Sequence, residues 1–176
     1  MTRIVAISGS RHADSTTRAA LSVALDAAAD AGAETDMIDL GAVDLPLYHP
    51  DEDAQGDSEA LKRRVREADG VLVGTPVYHG SYSSTFKNFH DFCGSTEYEY
   101  TAVGLLATAG GGSYGGTLEH LRATFRNVHA WTVPHEVGIR GASSVVDGSG
   151  IADDDLRKRT EQLARVVVEH AERLRR

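Results

Sequence analysis

The chain alternates short unbroken apolar runs with longer stretches in which apolar residues recur every three or four positions. Residues 3–8, "RIVAIS", predict a buried strand, because a continuous apolar run of that length suits a strand covered on both faces. Residues 15–31 place Leu21, Ala24, Leu25 and Ala28 on one helical face, and Gly32 ends that helix. "TDMIDL" (35–40) predicts a second strand. The stretch 41–57 holds too much Pro, Gly and Asp for a regular element and predicts a long loop. A short helix with Leu61, Val65 and Ala68 inward leads to a third strand, "GVLVGT" (70–75). A helix over 83–92, with Phe86, Phe89 and His90 on one side, precedes a fourth strand, "TAVGLLAT" (101–108). A helix over 117–126 and a fifth strand, "VHAWTV" (128–133), come next, and 138–150 predict a flexible bridge. The last helix, 153–173, repeats Leu156, Leu163, Val167, Ala171 and Leu174 at helical spacing. Its acids Asp153 to Asp155 and its bases Arg173, Arg175 and Arg176 stand at the ends where the helix dipole favours them.

Five strand–helix alternations with continuous apolar strands predict a parallel sheet covered on both faces, a three-layer doubly wound α/β domain. Right-handed crossovers make the flavodoxin-like order 2-1-3-4-5 the best fit for five strands. With no internal repeat and no low-complexity linker, residues 1–176 read as a single domain. In that order a ligand crevice opens at the carboxyl ends of strands one, three and four. The three loops there are 8–16, 75–82 and 108–116.

Charge narrows the partners. Twenty-six acidic against eighteen basic residues give a net charge of −8, which repels nucleic acid and anionic membrane surfaces. Only Lys62, Lys87 and Lys158 are lysines, and such an acidic, lysine-poor composition is similar to that of haloarchaeal proteins, whose salt-rich cytosol screens the repulsion. No run of 18 apolar residues and no leader pattern occurs, so the expected location is the cytoplasm. The single cysteine, Cys93, excludes an intrachain disulfide and a thiolate zinc cluster, and the eight histidines lack a metal-ligand spacing.

The chemistry lies in the loops. "SGSRHADSTT" (8–17) offers the hydroxyls of Ser10, Ser15, Thr16 and Thr17, with one cation, Arg11, where a helix begins. Those are the parts of a phosphate site at a helix N-terminus, although a Ser-capped helix beside a surface arginine has the same sequence. No lysine follows a glycine run, which removes the support for a P-loop. In "ATAGGGSYGG" (107–116), Gly110, Gly112 and Gly115 satisfy G-x-G-x-x-G, and Glu136 stands about where a ribose-binding acid is expected. Too few elements follow for a dinucleotide half, however. The glycines read as close approach to a flat ring, or as a merely mobile loop. In "GTPVYHGS" (74–81), Pro76 fixes the backbone, Tyr78 and His79 offer an aromatic border, and Gly80 permits a turn. A ligand with a phosphate at one end and a planar hydrogen-bonding ring at the other fits all three loops, and flavin mononucleotide (FMN) has that shape.

"SGSRHADSTTRAAL" and "GTPVYHGSYSSTFKNFHDF" resemble the two signatures of the NADPH-dependent FMN reductase family, the flavodoxin-like flavin, quinone, azo and chromate reductases. The family pattern is roughly G-S-x-R-x-x-S, then T-P-x-Y-N-x-S, then L-K-N-x-x-D. The resemblance implies that Ser10, Arg11, Ser15, Thr16 and Thr17 bind the FMN phosphate. It implies that Pro76, Val77, Tyr78, His79 and Gly80 line the isoalloxazine, and that Thr108, Gly110, Gly111 and Gly112 approach the ring. Amides near 77–80 and 110–111 then stabilise the reduced ring, and no catalytic side chain is required. Lys87, Asn88 and Asp91 take a structural or subunit-contact role, and Tyr98 and Tyr100 lie near the flavin edge. Two departures from the pattern matter: one extra residue between Arg11 and Ser15, and His79 in place of Asn. The implied activity is hydride transfer from NADPH or NADH to FMN and on to a flavin, quinone or azo acceptor, in a homodimer or homotetramer. No basic cluster marks a 2′-phosphate pocket, so the preference for NADPH rests on the resemblance. The rival readings are a flavodoxin-like electron carrier and a cofactor-free binding protein of the same fold.

Overall fold

The computed structural model describes residues 1–53 and 55–174. Arg175 and Arg176, expected to close the last helix, lie outside them. The chain runs β1 (Arg3–Ser8), α1 (Thr16–Asp30), β2 (Glu34–Asp39), α2 (Ser58–Arg66), β3 (Gly70–Pro76) and α3 (Ser84–Phe92). A single turn, α4 (Ser95–Tyr98), precedes β4 (Ala102–Ala109), α5 (Gly115–Asn127) and β5 (Trp131–Arg140). The turn α6 (Ala142–Val145) and the hairpin of β6 (Val146–Asp147) and β7 (Gly150–Ile151) lead into α7 (Asp154–Leu174). β1 to β5 form one parallel sheet in the order β2-β1-β3-β4-β5. This is the flavodoxin-like order expected from the alternation, and it places the crevice between β1 and β3.

The period of two along each strand divides the core into two layers. Ile4, Ala6, Leu72 and Leu106 meet Leu21 and Ala24 of α1 and Leu163 and Val167 of α7. Val5, Ile7, Val73 and Leu105 meet Val65 of α2, Phe86 and Phe89 of α3, and Leu121 and Phe125 of α5. No helix of the described residues is long and apolar enough to cross a membrane.

Two segments differ from the sequence reading. The fifth strand was expected at 128–133, but residues 128–130 form the exit turn of α5 and the strand runs from Trp131 to Arg140. Pro134 hid this continuation. The register steps from Val103↔Thr132 to Leu105↔Glu136, so Pro134 falls in a bulge on an edge strand, where its missing N–H costs no ladder bond. The bridge expected at 138–150 is instead ordered. Its first three residues finish β5, and Val146 buries itself with Ile151 in the layer beneath α1 and α7.

The long loop 41–57 carries no regular element among its described residues, as expected, and α3 holds it. Asn88 accepts from the Tyr48 amide through Oδ1 (2.9 Å) and donates from Nδ2 to the Pro46 carbonyl (2.9 Å). Lys87 pairs with Asp91 one turn away, so the three signature residues of this helix do structural work.

Tyr98 is a correction. It was expected near the flavin edge, but its side chain is fully buried, with its ring edge-on to Phe125 at 5.1 Å. His90 lies in the same cluster, stacked on Phe86 (5.4 Å) and edge-on to Phe125 (4.9 Å). Burial, the largest cause, lowers the His90 pKa from 6.5 to about 4. Between those values the unfolded chain binds the proton that the folded chain refuses. The contribution is therefore complete above pH 6.5 and is lost as pH falls toward 4. The loss at pH 4.5 should be about 2–3 kcal/mol. His90→Phe should remove this part of the pH dependence, read as the difference in urea unfolding free energy between pH 7 and 4.5. Equal losses in parent and variant would rule out His90 as the source. Burial likewise pushes the neighbouring Cys93 thiol up to about 12, which leaves it a protonated packing group at neutral pH.

Candidate functional site

The three loops singled out in the sequence meet at the carboxyl edge of the sheet, and Thr108 joins them. Its carbonyl accepts the Val77 amide from the β3 loop (2.8 Å), and its hydroxyl lies 2.6 Å from that of Thr17 in α1. Thr17 and Thr108 are both buried, so they form a floor from which the loops rise. A second tie runs through Ser83, the N-cap of α3, whose hydroxyl donates to the Gly9 carbonyl (2.6 Å). The Ser83 amide donates to Thr75 Oγ1 (2.9 Å), and the Gly9 amide donates to the Gly74 carbonyl (2.8 Å).

The β1 loop is held in a curl. Ser10 Oγ, nearly buried, accepts from the His12 amide (3.3 Å), and His12 Nδ1 accepts from the Asp14 amide (3.1 Å). Ser15 caps α1 by accepting the Arg18 amide (3.1 Å). The Thr16 and Thr17 amides follow in the first turn, where helices have no internal acceptor. Arg18 spends its guanidinium on Asp39 (2.8 Å) and the Ala13 carbonyl (2.6 Å). Arg11 is exposed, and none of the ion pairs among the described residues includes it.

The β3 loop is a two-residue hairpin. Tyr78 and Ser81 exchange amide-to-carbonyl bonds of 2.9 and 3.0 Å, and His79 (φ +52°) and Gly80 (φ +77°) both occupy the left-handed region. A turn with positive φ at both central residues matches the strand twist, and Asn, Asp and His tolerate that conformation best. This explains the residue at position 79: His replaces the usual Asn where either is sterically acceptable. Tyr78 is 56% exposed at the rim. The hairpin also corrects one expectation. The Val77 and Tyr78 amides are already donated within the protein, which leaves those of His79 and Gly80 for a ligand.

In the β4 loop, Gly110, Gly111 and Gly112 are exposed, and a Cβ added to any of them would meet nothing within 4 Å among the described residues. The loop is anchored from β5, where Arg140 Nε donates to the Gly111 carbonyl (2.9 Å). α5 begins against the hairpin, with a Cβ built on Gly116 lying 3.4 Å from the Gly80 carbonyl oxygen. His120 Nδ1 and Ser81 Oγ are 2.9 Å apart. Glu136 pairs with Arg122 (2.7 Å), so the acid of the apparent dinucleotide fingerprint is already engaged.

All fourteen residues expected from the sequence thus lie on these loops or their floor. The sequence reading missed Thr75, Ser83, His120 and Arg140. Ser83 carried a signal, a serine just before an apolar helix. The other three depend on tertiary approach. A hollow of about 1000 Å³ lies mostly outside this site. It runs beside α1 between β2 and the β6–β7 hairpin and meets this site only at His12 to Thr16.

Residues 2–144 match the family model described as NADPH-dependent FMN reductase. The NADPH azoreductase of Bacillus sp. (strain OY1-2) is 37% identical over 139 residues, covering 77% of this chain and 74% of that protein. The FMN-dependent NADPH-azoreductase of Staphylococcus saprophyticus is 35% identical over 86 residues, covering 49% of this chain and 46% of that protein, about half its length. Two solved structures share the fold. FerB of Paracoccus denitrificans, a flavoenzyme NAD(P)H:(acceptor) oxidoreductase, superposes with a TM-score of 0.81 at 21% identity over 98% of both chains. The apo form of an NADH:FMN oxidoreductase superposes with a TM-score of 0.79 at 24% identity, over 96% of this chain and 89% of that one. The family model covers most of this sequence, and its two signatures lie on loops that the fold brings together: the chain belongs to the NADPH-dependent FMN reductase family.

Proposed function

We propose that this chain holds FMN across the three loops joined at Thr108 and uses it to carry hydride from a nicotinamide to an azo, quinone or flavin acceptor. As a family member it is an FMN-binding NAD(P)H-dependent oxidoreductase. The residues present fit the cofactor. An unpaired guanidinium (Arg11), serine hydroxyls and first-turn amides suit a phosphate, and the uncrowded glycines leave room for a planar ring. In this reading Ser10, Arg11, Ser15 and Thr16 hold the phosphate, and Thr17 offers its amide, since its hydroxyl is engaged by Thr108. Pro76 to Gly80, Thr108 and Gly110 to Gly112 border the ring. Bound FMN supplies the hydride chemistry.

The protein's own part is orientation and charge. Arg11 neutralises the phosphate in a strongly acidic chain. The His79 and Gly80 amides, presented by a rigid turn, are donors for negative charge on the ring. Exposed Tyr78 and the open glycine loop would leave room beside the ring for nicotinamide and acceptor in turn. The observation that carries this reading is the convergence at Thr108, which bonds to Val77 of the β3 loop and to Thr17 in the first turn of α1, directly after the β1 loop.

Anaerobic stopped-flow absorbance at the flavin band tests it. NADPH or NADH should bleach the bound flavin far faster than free FMN, and an azo dye, quinone or free flavin should restore the colour in a separate second step. Bleaching no faster than that of free FMN would leave an electron carrier, and a protein that FMN cannot turn yellow would leave a binding protein.

A further inference from the structure

We infer that Arg140 recognises a phosphate of the nicotinamide dinucleotide, the anion site for which the linear sequence shows no basic cluster. The inference rests on the FMN reductase reading above. Arg140 ends β5 and pairs in register with Ala109, the residue from which the glycine loop departs. Its Nε is fixed on the Gly111 carbonyl at 2.9 Å, which holds the guanidinium beside the glycine loop. Its side chain is exposed, and none of the ion pairs among the described residues includes it. Most arginines of this chain are spent on carboxylates: Arg3, Arg18, Arg64, Arg66, Arg122, Arg157, Arg165 and Arg173 all pair. Arg63, Arg126 and Arg159 also lie outside these pairs, but they stand on α2, α5 and α7; among the described residues Arg140 is the arginine without a carboxylate partner beside the open glycine loop.

Neither terminal nitrogen has a partner among the described residues, and a guanidinium fork matches phosphate oxygens two at a time. Exposed Ser113, three residues after Gly110, adds a hydroxyl to the same loop. Arg11, the other unpaired cation of the three loops, lies on the β1 loop and is assigned to the FMN phosphate. A dinucleotide reductant carries further phosphates: the pyrophosphate in NADH, and the pyrophosphate with a 2′-phosphate in NADPH. Without a cation on the β4–β5 side, the acidic chain would repel them.

The test compares three reductants on the FMN-loaded protein: NADPH, NADH and 1-benzyl-1,4-dihydronicotinamide, which has no phosphate. Arg140→Gln keeps a donor at the position of Nε for the Gly111 carbonyl and removes the charge, so it separates anion recognition from loop support. A lost charge-assisted contact should raise KM for the phosphate-bearing reductant about 10-fold or more relative to the benzyl compound. Arg140→Lys should recover part of the loss. A rise for NADPH alone assigns the 2′-phosphate, and an equal rise for NADPH and NADH assigns the pyrophosphate; either supports the inference. Calorimetric titration of the oxidised protein with 2′,5′-ADP and ADP reads the same contact without turnover, and the variant should bind the matching ligand about 10-fold more weakly. Unchanged KM ratios and unchanged titrations overturn the inference, as does an equal loss with all three reductants. If no reductant bleaches the flavin of the parent protein, the reductase reading fails first, and the titrations still decide whether Arg140 binds phosphate.

Discussion

Arg11→Ala should weaken FMN binding about 10- to 100-fold, the loss expected for a charge-assisted phosphate contact. Arg11 is exposed and pairs with no carboxylate among the described residues, so its removal breaks no ion pair of the fold. The melting temperature of the apoprotein should therefore change little, as for other surface substitutions away from packed or paired groups. Arg18, seven residues on, is the contrasting case. It bonds to Asp39 and to the Ala13 carbonyl, and replacing it would loosen the loop itself. Arg11→Lys should fall between parent and alanine variant, since lysine keeps the charge and loses the planar fork. Fluorescence titration of the three apoproteins with FMN reads the series. An unchanged dissociation constant in the alanine variant would place the phosphate elsewhere.

Gly104→Val should cost about 3 kcal/mol of folding stability and lower the melting temperature by roughly 6–12 °C. Gly104 lies in the middle of β4, under α7. A Cβ at this position would sit 2.7 Å from Val167 Cγ2, 3.0 Å from Leu72 Cδ2 and 3.1 Å from Leu163 Cδ1. All three partners are buried, so none can swing aside without opening the core. The glycine sets the distance at which α7 rests on the sheet, and valine adds three carbons to a place too small for one. Gly148→Ala is the comparison, because its new methyl meets nothing within 4 Å among the described residues. Differential scanning calorimetry of both variants tests the contrast. A Gly104→Val protein melting within about 2 °C of the parent would mean that α7 shifts freely.

The strands and helices that the sequence showed clearly are those whose burial leaves a periodic trace. β1, β3 and β4 are apolar throughout because helices cover both faces, and α7 repeats its apolar residues because one face meets the sheet. β5 was read short because His135 and Glu136 interrupt its apolar pattern and Pro134 imitates a terminus, signals that a bulged edge strand does not obey. The β6–β7 hairpin and α4 contain too few residues to show a period. In the site, the segment proposed to hold the phosphate was legible because a helix start concentrates hydroxyls and a cation within a few residues. Thr108 was legible only as a loop residue. Its joining of two other loops depends on contacts across 91 positions to Thr17. Arg140 was illegible for the same reason, since its partner Gly111 is 29 positions away.

The bulge at Pro134 has a consequence for how copies of the chain meet. An open parallel sheet leaves two strands, here β2 and β5, with one row of amides and carbonyls unpaired, which is a template for adding another strand. On β5 the proline lacks an amide to offer, and the register step beside it breaks the even spacing that an incoming strand would need. On β2 the defence is charge: Glu34, Asp36 and Asp39 line the strand, and Arg64, bonded to both Asp36 oxygens, also donates to the Met37 carbonyl. Sheet-to-sheet fibre growth is thus blocked by geometry on one margin and by charge on the other, and only the charged margin should weaken as salt rises.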